Sequence, residues 1–413
     1  MTAPSPVPPF FGWRVVAGAF VLATFGWGVG FYGPPIYLHA VIERTGWPVA
    51  LASAAVTVHF LVGVPVVANM PRLYRSFGIP VVTCVGALLL GLGVLGWALA
   101  YEPWQLFVAA LLSGCGWVTM GAAAVNALVA QWFVRTRPAA LATAYNGASI
   151  GGVVFSPLWV ALIAALGFAG GAAVVGVVKV IVMAVLSVLV FSRTPERMGQ
   201  APDGDAPGQS AASMTLPNTR PLPGNALWRD RAFRTLAAGM ALSLFAQIGL
   251  LAHLYSLLVP AIGKQGAGLA MGLATACAIG GRTIVGWLMP LGADRRRFAA
   301  MNLGVQVAGS LALLAAGATS VPLLMLGVVL FGAGIGNVTS LPPLIAQVEF
   351  VKEDATRVVP LIVAMGQATY AFAPAAFGVL RAFEGVPSAL LFAVAAVVQV
   401  GAIACFLGGR RGP

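Results

Sequence analysis

Residues 78–100 read GIPVVTCVGALLLGLGVLGWALA, a stretch without one charged side chain. As a helix it would be about 35 Å long at ~1.5 Å per residue, enough to cross the ~30 Å hydrocarbon core of a bilayer. Lipid offers no hydrogen-bond partners, so a lone spanning segment must satisfy its own backbone, and helix does that. A barrel strand would place a polar residue at every second position, and this run does not. Outward from it the pattern recurs. Comparable apolar runs lie near 14–36, 48–70, 104–131, 138–166, 170–192, 234–259, 266–290, 297–318, 321–347, 357–381 and 386–408. The expected fold class is an all-α integral membrane protein of twelve transmembrane helices.

Composition agrees. The chain is 60% hydrophobic and 8% charged, whereas a soluble domain carries about 25% charged residues. Such a chain cannot clothe a water-facing surface, and the lipid bilayer is its first expected partner. Cys84, Cys115, Cys277 and Cys405 all fall inside apolar runs, and no pair has metal-ligand spacing. They read as small buried hydrophobes, and no metal or cofactor is expected. Arg14 leads into an apolar run too long for a signal-peptide core, so the first helix is expected to be an uncleaved anchor.

The basic residues give an orientation. With the N-terminus in the cytoplasm, Arg44, Lys264 and Arg381 lie outside, Lys179 and Arg282 lie within helices, and the remainder of the 23 lysines and arginines lie inside. By the positive-inside rule this predicts a multi-pass protein of the bacterial cytoplasmic membrane with both termini cytoplasmic. The net charge of +12 is then topogenic, and nucleic acid is not an expected partner.

Residues 193–233 break the pattern. They are rich in Pro, Gly and Ser and read as a flexible cytoplasmic linker, with a short interfacial helix at Leu227–Phe233. The linker divides six helices (1–192) from six (234–413), a layout that suggests a duplicated transporter. Leu128-Val-Ala-Gln131-Trp-Phe133-Val134 is echoed by Leu344-Ile-Ala-Gln347-Val-Glu-Phe350-Val351, and Phe155-Ser-Pro157 by Phe372-Ala-Pro374. With one inserted residue the two stretches stay in step.

Two loops carry a further signature. One reads Pro71-Arg72-Leu73-Tyr74-Arg75-Ser76-Phe77-Gly78. The other runs from Gly286-Trp287-Leu288 to Asp294-Arg295-Arg296-Arg297. They resemble the Gly-x-Leu-x-Asp-Arg-x-Gly-Arg-Arg loop of the major facilitator superfamily. The resemblance implies two six-helix bundles and a gating role for Arg72, Arg75, Asp294, Arg295 and Arg296. The first copy lacks the acidic residue, which puts its clamp in doubt. A narrower resemblance, to bacterial monocarboxylate transporters and oxalate/formate antiporters, rests on Gly12-Trp13-Arg14-Val15-Val16, Gln131-Trp132-Phe133 with Arg137-Pro138, Asn146-Gly-Ala-Ser149-Ile-Gly151-Gly152, and Gln367-Ala-Thr-Tyr370-Ala-Phe372-Ala-Pro374.

Arg282, in Gly280-Gly281-Arg282-Thr283, is the most informative residue. A charge deep in a helix costs at least ~2.5 kcal/mol and usually faces a wet cavity. Its planar fork suits both oxygens of a carboxylate. The resemblance also implies an arginine at this point of helix 8, paired with the substrate carboxylate. The other intramembrane cation, Lys179, sits among valines and reads as a peripheral, snorkelling residue. Every Asp and Glu lies in a loop or at a helix end, so no mid-membrane carboxylate serves as a proton site. His253 and His59 are the proton-coupling candidates, His253 first, while His39 reads as a surface residue. Asn146, Gln367, Tyr370, Gln247 and Asn337 are further substrate-contact candidates, with interhelical hydrogen bonding as their alternative. Trp117 and Phe25 could form apolar walls, and the glycines of helices 4 and 5 read as packing residues.

The expectation is a monomeric secondary transporter moving a small monocarboxylate by alternating access, proton-coupled. Anion exchange of the oxalate/formate kind and export of amphipathic molecules are the alternatives. No nucleophile triad, nucleotide loop or carboxylate cluster suggests an enzyme.

Overall fold

A computed structural model describes residues 9–204, 224–290, 293–317, 320–383 and 390–410. Its helices are α1 (Gly12–Gly30), α2 (Pro34–Thr45), α3 (Val49–Leu61), α4 (Gly63–Leu99), α5 (Pro103–Thr119), α6 (Ala122–Trp132), α7 (Arg137–Leu186), α8 (Arg231–Leu288), α9 (Arg295–Ala316), α10 (Val321–Glu349), α11 (Lys352–Ala371), α12 (Ala373–Ala382) and α13 (Leu390–Gly408). Among the described residues there is no strand.

These helices build nine continuous stretches long and apolar enough to cross a membrane. Three of them are much longer than one crossing needs, at Val49–Leu99, Arg137–Phe191 and Arg231–Leu288. Each contains a glycine outside helical geometry: Gly78 at φ +79, Gly167 at φ +71 and Gly263 at φ +70. An L side chain would clash in that region, so glycine permits these breaks. Three other stretches are interrupted within their length, α1/α2 at Phe31-Tyr32-Gly33, α5/α6 at Met120-Gly121 and α11/α12 at Phe372, and Val49–Leu99 is interrupted a second time at Val62 between α3 and α4. α8 starts at Arg231, and the Asp230 side chain caps it by accepting from Phe233 N at 2.8 Å. The interfacial helix expected over Leu227–Phe233 is therefore a 3-10 turn, Gly224–Arg229, followed by the first turn of α8.

Small residues set the helix spacing. A methyl group on Gly116 of α5 would strike the backbone of Leu90 in α4, and one on Gly309 of α9 would strike Phe331 in α10. Gly147 and Gly151 of α7 lie against the backbone of α1 at Phe20 and Thr24, as packing glycines should.

Both chain ends lie at one face. Phe10 packs edge-on against Trp132 and Phe133 at 5.9 and 5.4 Å, and Arg410 pairs with Asp294 at 2.6 Å. At the opposite face the N-terminal helices α1–α7 meet the C-terminal helices α8–α13. Gly268 and Gly272 of α8 pack on Val160, Pro157 and Val153 of α7, and Gly378 of α12 packs on Ser53 of α3. Ala375 N donates to Thr57 Oγ1 at 3.0 Å, Lys264 pairs with Glu43, and His39 meets Tyr255 edge-on at 5.2 Å. Toward the terminal face the two sets separate. Asn146 lies seven residues from Val153 on the same stripe of α7, yet it is exposed. Across from it, a methyl group on Gly280 or Gly286 would meet nothing within 4 Å. The two helix sets touch at the far face, and Asn146, Gly280 and Gly286 are exposed nearer the opposite one.

Candidate substrate site

Between the two helix sets, side chains of both gather at the level of the helix interruptions. The break after α1 leaves Tyr32 between helices, where it contributes a side chain no regular turn would aim there. Tyr32 is buried and hydrogen-bonds Thr275 of α8, and Gly152 of α7 leaves room for both rings and hydroxyls, since a methyl there would press on Thr275 and Tyr32. Arg282 lies seven residues from Thr275, on the same face of α8, and interacts electrostatically with Tyr32. It is half-buried, and its Nε donates to Gly336 O of α10 at 3.3 Å. Among the described residues no carboxylate pairs with it. Gly336 must be small, because a Cβ there would strike Ala278 O at 2.6 Å and crowd the guanidinium at 3.1 Å.

Aromatic rings form the opposite wall. Trp27 and Phe31, one turn apart on α1, meet Trp117 of α5 at 5.1 and 6.0 Å. Phe31 also meets Phe60 of α3 at 6.0 Å, and Phe60 meets Tyr370 of α11 across the division at 5.7 Å. Beyond Phe31 lies a small apolar gap bounded also by Pro34, Val56, Ile248 and Leu251. Tyr145 closes the row against Trp27 at 6.0 Å, its hydroxyl bonded to Asn126 and Ala122 O. Trp117 thus stands in a wall, whereas Phe25 packs on Phe155 within the N-terminal helices.

The other residues singled out from sequence divide clearly. Asn146, Gln367 and Tyr370 sit where the two sets separate or meet, with exposed or half-buried side chains. Gln247 and Asn337 are buried inside the C-terminal helices. Gln247 Oε1 accepts from Gln306 at 3.0 Å, in a ladder continued by Gln399 and Ser310, and Asn337 donates to Asn302 at 2.9 Å. Their hydrogen bonds join α8, α9, α10 and α13 to one another.

Both histidine candidates are buried and tied to carbonyls. His59 Nε2 lies 2.8 Å from Gly30 O, and Nδ1 lies 2.8 Å from Ser113 Oγ, which also accepts from Trp97 Nε1. His253 Nε2 lies 3.1 Å from Pro374 O. A carbonyl only accepts, so the chemistry assigns the proton to Nε2 in both rings. His253 Nδ1 is then a bare nitrogen, buried without a partner. Lys179 does not snorkel: it is fully enclosed, its amine without a hydrogen-bond partner beside Gly91 of α4.

The five loop residues occupy two different settings at the terminal face. Asp294 caps α9 by accepting from Arg296 N and Arg297 N at 3.1 and 3.2 Å and also pairs with Arg410. Partial burial works against its charge, but these bonds hold its carboxyl below the usual range. Arg296 is 1% exposed and grips both oxygens of Glu349 at 2.6 and 2.8 Å. Its remaining donors go to Ala232 O, Thr235 Oγ1 and Phe406 O. Arg295 donates to Leu344 O at 2.7 Å. Arg72 and Arg75 are exposed, and Arg72 reaches only Asn69 Oδ1 at 3.1 Å.

Sequence reading missed Tyr32, Thr275 and Phe31. Pro34-Pro35 directly after them was the available signal of an interrupted helix.

Comparison with known proteins places the fold. The profile of the Major Facilitator Superfamily matches residues 16–374. The MFS transporter asaE of Aspergillus flavus is 28% identical over 201 residues, 46% of this chain and 44% of that protein. The match therefore spans less than half the length of that curated relative. Among solved structures, the nucleoside transporter NupG superposes with a TM-score of 0.72 at 11% identity, covering 98% of this chain and 100% of that one. A bacterial homologue of the human lysosomal transporter Spinster, in an inward-facing and occupied conformation, gives 0.69 at 12% identity, covering 98% and 99%. At such identities the likeness is one of fold.

Proposed function

The chain belongs to the major facilitator superfamily and is a transporter rather than an enzyme, and from that premise we propose that it carries a monocarboxylate anion by alternating access. Dividing the three long stretches at Gly78, Gly167 and Gly263 gives twelve crossings, six on each side of the linker. The two sets rock about the site, with both termini cytoplasmic and the described conformation inward-open.

The observation that carries the reading is Arg282: a half-buried guanidinium between the two helix sets, held by one carbonyl, with no acid to neutralise it among the described residues. Left unpaired, such a charge resists reorientation through an apolar constriction. A bound carboxylate neutralises it with two charge-assisted hydrogen bonds. Gln367, Tyr370 and Asn146 complete the polar side. His253 is the proton-responsive group, through its free Nδ1. Arg381 stands near it, in an outer cluster that also holds Glu43, Lys264 and His39.

Uptake of labelled acids into proteoliposomes tests the assignment. A hydrogen bond to a charged group contributes about 1.5–3 kcal/mol, or roughly 10- to 100-fold in affinity. Arg282→Ala should lose at least that much, with Arg282→Lys retaining part. Undiminished uptake by Arg282→Ala removes the role.

A further inference from the structure

We infer that the carboxylate this site takes carries a flat aromatic or comparably bulky apolar body, an arylalkanoate rather than a two- or three-carbon hydroxy or keto acid. The inference rests on the reading of Arg282 as the carboxylate partner and concerns the rest of the substrate.

The site divides its chemistry between the two helix sets. The C-terminal set contributes Arg282. The N-terminal set presents Trp27, Phe31, Phe60 and Trp117, joined ring to ring at 5.1–6.0 Å. Tyr370 bridges the division by meeting Phe60. The hydrogen-bonding groups behind this wall are already committed: the Tyr145 hydroxyl to Asn126 and Ala122 O, and His59 to Gly30 O and Ser113. A lactate or pyruvate held by its carboxylate at Arg282 would leave most of this ring surface uncovered, since only the indole N–H groups of Trp27 and Trp117 could meet its remaining oxygen. An aryl group there finds edges and faces at stacking distance. The lining points the same way. A small gap lies beyond Phe31. It is bounded by proline, phenylalanine and aliphatic side chains. The site thus matches an amphipathic anion laid across the division, head on the C-terminal set and body on the N-terminal set.

The test is competition in proteoliposomes containing the full chain, with labelled phenylacetate as the probe and phenylacetate, indole-3-acetate, lactate, pyruvate and phenylacetamide as competitors. The expected result is half-inhibition by the aryl acids at concentrations at least 10-fold below lactate or pyruvate, with phenylacetamide ineffective. Phe31→Leu and Phe60→Leu keep apolar bulk and remove the ring, and thermal unfolding checks that they fold. Each should raise the half-saturation for phenylacetate several-fold while leaving that of lactate within about 2-fold. Lactate or pyruvate competing as well as phenylacetate, or taken up without any aryl acid binding, overturns this inference and leaves Arg282 in place. Phenylacetamide competing as well as phenylacetate, or no acid of any size being bound, overturns the carboxylate reading and this inference with it.

Discussion

The same face of the molecule is tied together in two ways. In the C-terminal set, Leu344-Ile-Ala-Gln347-Val-Glu349-Phe350 ends α10 with an acid, and that acid holds the buried Arg296 in the first turn of α9. In the N-terminal set, Leu128-Val-Ala-Gln131-Trp132-Phe133 ends α6 with aromatic rings and no acid. The rings pack on Phe10, Phe11 and Trp13. The next three backbone N–H groups, at Val134, Arg135 and Thr136, donate to Asp203 of the linker at 2.8–3.1 Å, and Gln200 bonds Phe11 N and Pro9 O. The residue that puts the two copies out of step by one is accounted for by Glu349, the acid that neutralises Arg296. The stretch read as the first loop is helical up to Gly78, and Arg72 and Arg75 on it have no such partner among the described residues and stay exposed. A duplicated loop therefore keeps a buried charge only where the second copy of its neighbour supplies the counter-charge, because an unpaired buried guanidinium is far costlier than an exposed one.

The largest effect should come from breaking that pair on one side. Glu349→Ala strands the Arg296 guanidinium and should cost about 3–5 kcal/mol of stability, read as a drop in detergent unfolding temperature. Removing both charges, with Arg296→Met added, should recover part of the loss. A double variant no more stable than the single would show that the packing of α10, and not the stranded charge, is at stake.

Next in size is Asp294. Asp294→Asn weakens an N-cap and removes the charge that pairs with Arg410, and loss of a cap costs about 0.5–2 kcal/mol. The folded carboxyl titrates below its ordinary value. Its stabilisation is therefore fully present above the unfolded carboxylate pKa of about 3.9 and declines as pH falls through the lower folded value. Wild type and Asp294→Asn should converge in stability below that range. Asp203 makes a parallel case in the N-terminal set. Partial burial raises its pKa, but the Thr136 hydroxyl and the three N–H groups outweigh this and bring it down to about 2. The strap should stay charged at neutral pH and loosen between about pH 4 and 2. Asp203→Asn should speed tryptic cleavage after Arg193 and Arg197 severalfold at neutral pH. Unchanged cleavage would remove Asp203 as the strap.

Much of the fold was legible because hydropathy is a property of each segment by itself. The apolar runs reappear as helices, whereas residues 205–223 of the stretch read as a linker lie outside the described residues. The breaks at Gly78, Gly167 and Gly263 were not distinguishable, since the chain has 51 glycines and a positive φ is decided by what the chain does next. Arg282 was legible because a charge inside an apolar run has few cheap explanations. Tyr32 was not, because its meeting with Arg282 joins residues 250 apart through the packing of Gly152 on Thr275. Gln247 and Gln367 look alike in sequence, yet one faces Gln306 inside a bundle and the other stands near the division. Helix rotation separates them, and the weak amphipathicity of membrane helices carries little trace of it.

The smallest effect belongs to the first loop, and it sharpens the comparison most. Arg72 and Arg75 are exposed, and Arg72 bonds only to a neighbour three residues away. Replacing either with alanine should change stability by no more than about 0.5 kcal/mol, against several kcal/mol for Glu349→Ala. Transport gives the second reading. Arg72 and Arg75 lie at the terminal face. If their role is topogenic, uptake by each variant should stay within about 2-fold of wild type. If uptake falls 10-fold while stability holds, the first loop acts only when this face closes. The two copies would then differ in timing, one bracing its own bundle in this conformation and the other engaging across the cleft in the next.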